Sequence, residues 1–207
     1  EATLDAGTDD VTTFAVISDP GHLPVSRVLN PNVYLAEAGL IDVDENGNLV
    51  DWKAYCNSTS LSCQVVMKNP ADEKTRAVLE KVLYGLRNDL SSGVESVFTK
   101  EECEREYHLA GDFEYVLEGR ERTSFGNAWT GAKMVTPDNS DYKFSVASHG
   151  HLPHKGPQPV FIMAGPDVRE GVVFERKRII DEAPTFAAML HFDMPQATGH
   201  AISEILK

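Results

Sequence analysis

The hydrophobic positions of this chain fall into short runs, and two of these runs predict strands. Residues 12–17 and 159–164 are rich in β-branched and aromatic side chains, and they end at Ser18 and at Gly165, respectively. Uninterrupted apolar runs of this length are typical of buried strands in a parallel sheet. The first run therefore predicts a buried strand that delivers Ser18, Asp19 and His22 to its carboxyl end, where open α/β sheets bind ligands.

Other segments show helical periodicity or turn signals. A helix is predicted at 31–38, because Asn30 and Pro31 are typical of a helix start and Gly39 of a helix end. The clearest helix opens at 69–72 and ends at Asn88 or Asp89. Its apolar face is predicted to comprise Val78, Leu79, Val82, Leu83 and Leu86. Further predicted elements are a helix end at 2–7, a hairpin turn at 44–48, strands at 64–67, 94–99 and 113–118, and helices at 100–108, 181–191 and 201–206.

The order of these elements predicts the domain organisation. Strands and helices alternate between residues 64 and 118, which indicates a small α+β unit. A long polar loop is expected at 120–141, and loops of this length are often functional. We therefore expect residues 1–48 and 145–207 to form an α/β core, with residues 49–144 inserted as the α+β unit and the long loop.

Charge and composition exclude some classes of function. The chain has 207 residues and a net charge of −13, so binding of duplex nucleic acid through a basic face is not expected. Its three cysteines, Cys56, Cys63 and Cys103, form no disulfide framework, although the first two could close a small loop. No run is long enough to span a membrane and no signal peptide is present, which favours the cytoplasm.

Candidate chemistry is concentrated around a repeated tetrapeptide. Gly-His-Leu-Pro occurs at 21–24 and at 150–153, and candidate metal ligands lie in and around both copies. These candidates are Asp19, His22, His149, His151 and His154. Neutral imidazoles and carboxylates on Gly- and Pro-rich loops are the donors of metal-dependent hydrolases. The alternatives are that Asp19 only caps the turn and that the histidines are solvent-exposed.

The motifs resemble the alkaline phosphatase superfamily, in particular its type I phosphodiesterase/nucleotide pyrophosphatase branch. Residues 14–25 and 30–40 resemble the strand that ends in Ser-Asp-His-Gly and the segment after it. Residues 148–153 resemble the later His-Gly motif of that branch, and residues 161–166 and 181–185 resemble its closing strand and helix. The resemblance runs through nearly the whole chain and implies part of an alkaline-phosphatase-like, mostly parallel sheet flanked by helices.

The resemblance also implies roles for single residues. Asp19 and His149 match ligands of two different divalent ions, with zinc expected first and manganese or iron as alternatives. His22, His151 and His154 are expected to support these ligands or to substitute for one. Pro20 departs from the pattern, because the family places a histidine ligand there and a proline side chain binds no metal.

The resemblance covers only the C-terminal half of such enzymes. No residues match the nucleophile or the first metal-binding aspartate, and the chain begins with Glu1 rather than a methionine. We therefore expect the C-terminal portion of a hydrolase of phosphodiesters or nucleotide pyrophosphates, inactive alone, with its N-terminal half as partner. A homodimer through an exposed sheet edge is also expected. The alternatives are a non-catalytic ligand- or partner-binding module that lost its site, and a mononuclear site of His22, His149 and His151.

Overall fold

The computed structural model describes residues 11–138 and 147–207. These residues belong to two compact units, a smaller one of Glu1–Asp19 with Pro159–Lys207 and a larger one of Pro20–Gln158. The predicted helix end at 2–7 lies outside the described residues, as do the last residues of the predicted loop at 120–141. The domain division expected from the sequence differs from these bounds and stays a prediction.

The strands and helices alternate along the chain. The described elements are β1 (Phe14–Ile17), β2 (Leu23–Pro24), β3 (Arg27–Leu29), α1 (Pro31–Glu37), β4 (Ile41–Val43), β5 (Leu49–Trp52), β6 (Ala54–Ser58), β7 (Ser62–Met67), α2 (Glu73–Asn88), β8 (Val94–Thr99), α3 (Lys100–Tyr107), β9 (Tyr115–Gly119), β10 (Thr123–Phe125), β11 (Met134–Val135), β12 (Ala147–Ser148), β13 (Phe161–Ala164) and α4 (Glu182–Met189). Two 3₁₀ turns, Ile179–Asp181 and Ser203–Ile205, complete them. The mixed α/β class is therefore confirmed.

The larger unit is built on a four-stranded antiparallel sheet with the strand order β6-β7-β9-β8. Along β7, buried and half-buried residues alternate, as expected for a strand with one face toward a core. The buried members of this core include Cys63, Val65, Leu79, Leu83 and Leu117. The α+β character predicted for this part of the chain is thus confirmed.

Helix α2 begins after Asp72, whose carboxylate accepts hydrogen bonds from the backbone N–H groups of Lys74 and Thr75. Such N-capping satisfies donors that have no partner inside the helix. The predicted helix and its buried face are confirmed, except that Val78 is 40% exposed. Val78 lies at the edge of the apolar stripe, where helical periodicity does not distinguish buried from exposed positions.

Two smaller elements flank the sheet. Helix α1 packs against β6, and its buried Asn32 both donates to and accepts from the backbone of Cys56. Strands β4 and β5 form a hairpin around Asp44, whose carboxylate accepts from the N–H groups of Asn46 and Asn48. The predictions for residues 31–38 and 44–48 are confirmed.

The segment expected to be a long loop contains two strands. β10 pairs in parallel with β3, and β11 pairs with β3 on its other side in the antiparallel direction. These strands have three and two residues, so neither is long enough to show alternation in the sequence. The last predicted helix is likewise only the 3₁₀ turn at Ser203–Ile205.

In the smaller unit, β1 pairs with β13 in the antiparallel direction. Among the described strands only β3 and β10 pair in parallel, so the sheets differ from the mostly parallel one that was expected. The expectation that β1 is buried is also wrong, since Val16 is 40% and Ile17 is 51% exposed, and Ile162 of β13 is 59% exposed. An apolar run indicates neither the direction of a neighbouring strand nor whether a second layer covers it.

Helix α4 begins after Asp181 and ends at Met189, close to the bounds predicted from the sequence. No helix among the described residues has the length and apolar character needed to cross a membrane.

Candidate functional site: two histidine loops

The two loops that contain the repeated tetrapeptide lie side by side in the larger unit. β2 pairs with β12 so that Leu23 lies opposite Ser148 and Pro24 opposite Ala147. His22 directly precedes β2 and His149 directly follows β12, which places both histidines at the same end of this short antiparallel ladder. Their rings stack with centroids 5.4 Å apart and planes inclined by 22°. Both side chains are exposed.

The loop after His149 rests on the turn between β6 and β7. Ser62 donates through Oγ to the carbonyl oxygen of Gly150 over 2.5 Å, and Leu61 N donates to the carbonyl oxygen of His149 over 3.3 Å. Gly150 has φ of +94°, and a Cβ at this position would collide with the carbonyl oxygen of Thr59. Only glycine fits here without strain, which explains why this residue follows His149.

The ring of His151 lies between two backbone carbonyl oxygens, and its tautomer decides to which of them it donates. Its Nδ1 lies 2.9 Å from Leu152 O, and its Nε2 lies 3.1 Å from Gly21 O. Gly156 packs directly against the ring, where a Cβ would collide with it. Both ring nitrogens therefore face protein acceptors, and the ring joins the second histidine loop to the first.

A buried acidic residue anchors the same loop to the four-stranded sheet. Glu118 of β9 accepts through Oε1 from Leu152 N over 3.1 Å and from Lys155 Nζ over 2.9 Å. Lys155 also donates to Glu95 Oε2 over 2.8 Å and to Gly119 O over 2.7 Å. Burial raises the pKa of Glu118, and the hydrogen bond from Lys155 offsets part of this effect. Burial lowers the pKa of Lys155, but its bonds to Glu95 and Glu118 outweigh it, so that this pKa is raised.

The remaining candidates are Asp19 and His154. Asp19 ends the first of the two segments that form the smaller unit, and it is exposed just after β1. The neighbouring Ser18 Oγ accepts from Val160 N over 3.0 Å. Pro20 is exposed, and His154 is exposed on the loop of His149. The structure thus brings together His22 and His149, with His151 next to them. The assignment of all five candidates to metal ions stays a prediction.

The imidazoles of His22 and His149 can bind a metal ion, but two ligands are fewer than a zinc site usually has. Imidazole nitrogens such as those of His22 and His149 are ordinary ligands of zinc, which usually takes four ligands in a tetrahedron. Within the described residues, no group of three or more His, Cys, Asp or Glu side chains is placed to hold an ion. The two exposed imidazoles would therefore supply part of a ligand set, and further donors would have to complete it.

No family model and no curated protein matches the chain. Solved structures do match it. The structure of human ectonucleotide pyrophosphatase/phosphodiesterase 5 aligns with all of this chain over 48% of the human chain, with a TM-score of 0.64 and 13% sequence identity. The murine protein matches 96% of this chain and 46% of its own, with a TM-score of 0.62 and 16% identity. An inactive variant of the murine protein in complex with AMP matches similarly, with a TM-score of 0.62 and 16% identity over 94% of this chain and 45% of its own.

The fold of the chain is similar to that of about half of these ectonucleotide pyrophosphatase/phosphodiesterase 5 structures. The chain spans about half the length of the solved structures that it matches. This likeness bears out the partial alkaline-phosphatase-like α/β fold predicted from the sequence, and it concerns the fold alone. Because the sequence identities are 13% and 16%, the likeness in fold assigns no role to any single residue of this chain.

The sequence did not point to the anchoring residues of this alkaline-phosphatase-like fold. Glu118 ends the apolar run Tyr115-Val116-Leu117, so a carboxylate at the end of a buried strand was the available signal. Lys155 directly follows His154 and gives no signal of its own. Its partners Glu95 and Glu118 are distant in sequence, and only the pairing of β8 with β9 brings them together.

Proposed function

We propose that this chain is the C-terminal portion of a metal-dependent phosphodiesterase or nucleotide pyrophosphatase. The observation that carries the proposal is the convergence of the two histidine loops, with His22 stacked on His149, in a chain with part of the alkaline phosphatase superfamily fold. Asp19 and His149 are proposed as ligands of two different divalent ions, with zinc as the proposed metal and manganese as the alternative.

Each residue has a distinct part in this proposal. The exposed imidazole of His149 offers a lone pair to a metal, and Gly150 allows the backbone to turn closely beneath it. The exposed carboxylate of Asp19 offers an oxygen ligand. When bound, a pair of divalent ions stabilises the charge that develops on the attacking and leaving oxygens of a phosphoryl group. His151 and His22 would orient the loops rather than contact the phosphoryl group.

The proposed substrate is a nucleotide-like phosphoester, and the proposed partner is a polypeptide equivalent to the uncovered half of the solved structures. The AMP complex of the murine protein supports the substrate class, and the coverage of about half supports the partner. Exposed apolar side chains of β1 and β13, such as Ile17 and Ile162, suit contact with that half. A homodimer through the same strands is the alternative. The molecular mass of the purified chain in solution distinguishes the two, because a homodimer has twice the mass of the chain.

Isothermal titration calorimetry with zinc and with manganese tests the proposed ligands. We expect His149→Ala and Asp19→Ala to weaken binding by more than the roughly tenfold loss typical of a change outside the ligand shell. The matched control is His108→Asn, which removes another exposed histidine of the larger unit and keeps a residue that tolerates its left-handed backbone. Equal binding by wild type and His149→Ala would remove His149 from the site.

Hydrolysis of a nitrophenyl phosphodiester tests the catalytic part of the proposal. We expect negligible turnover by the chain alone with either metal, and robust turnover would refute the claim that it supplies only part of a site. Pro20 favours the second candidate, a binding module that has lost its catalytic site. If that module is correct, wild type binds AMP without added metal, and Pro20→His does not strengthen zinc binding.

A further inference from the structure

One acidic side chain is buried on the sheet directly beneath the histidine loops. The Glu118 side chain is 2% exposed, and Oε1 receives both the Leu152 N–H and the Lys155 ammonium. Both donors belong to the loop that follows His149. A carboxylate of the sheet core thus makes two of its polar contacts with the loop that carries the candidate ligand.

The partner of this carboxylate is also fully engaged. Lys155 is 15% exposed, and its ammonium has three hydrogens. It contacts three acceptors, on Glu118, Glu95 and Gly119, which come from β8 and β9. One loop side chain therefore connects two adjacent strands of the sheet and fixes its own position against both.

Net stability does not explain a buried pair of this kind. Replacing a buried ion pair by apolar residues of similar volume is often neutral or stabilising, whereas removing one partner is costly. What the pair does fix is the position of the loop, because each hydrogen bond has a required direction and length. These contacts join Leu152 and Lys155 of the loop to strands β8 and β9.

This arrangement is transmitted to both histidine loops. The Leu152 peptide is held at its N–H by Glu118 and at its carbonyl oxygen by the ring of His151. The same ring contacts the carbonyl oxygen of Gly21, which directly precedes His22. A continuous series of contacts therefore runs from the sheet core to the stacked pair of His22 and His149.

We infer that Glu118 and Lys155 are positioning residues for the pair of His22 and His149. This inference rests on the proposed function for its relevance to metal binding, since these residues contact no proposed ligand themselves. They act on the site by fixing the loop from which His149 projects. In this inference the negative charge of Glu118 can be replaced, but its hydrogen bonds to the loop are required.

The test compares two variants of the pair in the full chain. The double variant Glu118→Leu/Lys155→Met removes both partners together and leaves no unpaired buried charge. Glu118→Gln keeps an oxygen that can accept from Leu152 N. Glu114→Gln is the matched control, because Glu114 forms an ion pair with Arg76 over 2.7 Å and, within the described part of the chain, no hydrogen bond or ion pair joins its side chain to the histidine loops.

The first readout is the side-chain NMR signal of His149, which needs no metal. We expect the double variant to stay folded but to lose the wild-type Hε1 chemical shift of His149, whereas Glu118→Gln should retain that shift. The second readout is zinc affinity, which we expect to fall about tenfold in the double variant, the scale for residues that orient ligands. Glu114→Gln is expected to change neither.

The outcomes separate this inference from the proposed function. An unchanged His149 signal in a folded double variant overturns the positioning role. If that variant does not fold, hydrogen exchange of the Leu152 amide in wild type decides, since rapid exchange would show that Glu118 does not hold it. Absence of zinc binding by wild type refutes the metal site instead, while the NMR readout still decides the positioning role.

Discussion

Replacing Lys155 alone by methionine should destabilise the protein strongly and in a pH-dependent way. The substitution keeps the length and most of the apolar stem of the side chain but removes the ammonium that contacts Glu118, Glu95 and Gly119. Glu95 is 38% exposed and can be hydrated, whereas Glu118 is 2% exposed and cannot. The consequence is an unpaired carboxylate in the core.

The magnitude follows from the burial of Glu118. Breaking a buried pair by removing one partner costs about 3–5 kcal/mol. Lys155 is itself 15% exposed, so we expect the lower end, about 3 kcal/mol near neutral pH. Because native proteins are stable by only about 5–15 kcal/mol, a loss of this size is readily measured.

The pH dependence follows from the pKa of Glu118. Burial already raises this pKa in the wild type, and the loss of Lys155 removes a group that lowers it. With a raised folded-state pKa, the folded protein binds more protons than the unfolded chain between the two pKa values, so stability falls as pH rises through them. Lys155→Met should therefore be least destabilising below the unfolded-state pKa of about 4.3 and most destabilising near neutrality.

Urea unfolding followed by tryptophan fluorescence measures this effect, since both tryptophans, Trp52 and Trp129, lie in the larger unit. The comparison is made at acidic and at neutral pH, within the range where the wild type is folded. Lys133→Met is the control, because Lys133 forms an exposed ion pair with Glu37 and should contribute little. A Lys155→Met variant no less stable than this control, or equally destabilised at both pH values, would refute the reasoning.

Three further predictions concern other parts of the larger unit. Gly150→Ala should lower the free energy of unfolding by about 1–3 kcal/mol, because φ is +94° and the Cβ meets Thr59 O, as measured by urea unfolding. Asn32→Asp should lower the free energy of unfolding by about 1–3 kcal/mol, because an oxygen replaces the amide nitrogen that donates to Cys56 O. A melting temperature within error of the wild-type value would contradict this. The three cysteines are buried, and burial raises the pKa of Cys103 to about 11, so a thiol reagent should label them only after denaturation; rapid labelling of the native protein would be inconsistent with this burial.

The segments predicted best from the sequence have strong local signals. Helix α2 has a capping aspartate and an apolar stripe, and the hairpin around Asp44 has a typical turn sequence. Their bounds were accordingly close to those observed. β10 and β11 are defined by their pairing with β3, which no pattern within them encodes.

In the candidate site, too, features with a local sequence signal were predicted and features that depend on tertiary contacts were not. The sequence indicated which histidines lie in the two loops, because the repeated tetrapeptide marks them. It did not indicate that His151 has both ring nitrogens against carbonyl groups, or that Glu118 and Lys155 anchor the loop. These contacts join residues from separate strands and loops, so they depend on the tertiary structure. The metal ligands themselves stay predictions.

The pairing of β2 with β12 has a consequence for how the protein folds. These strands come from the two ends of the larger unit, so their contact closes most of that unit into one loop of chain. Closing a long loop lowers the conformational entropy of the chain before the new contact stabilises it, so contacts between residues far apart in sequence form slowly. We therefore expect the stacked histidines to meet late, after the four-stranded sheet has brought the chain ends together. A metal that requires both histidines would bind the folded chain and not its early intermediates, and would then stabilise the fold by mass action.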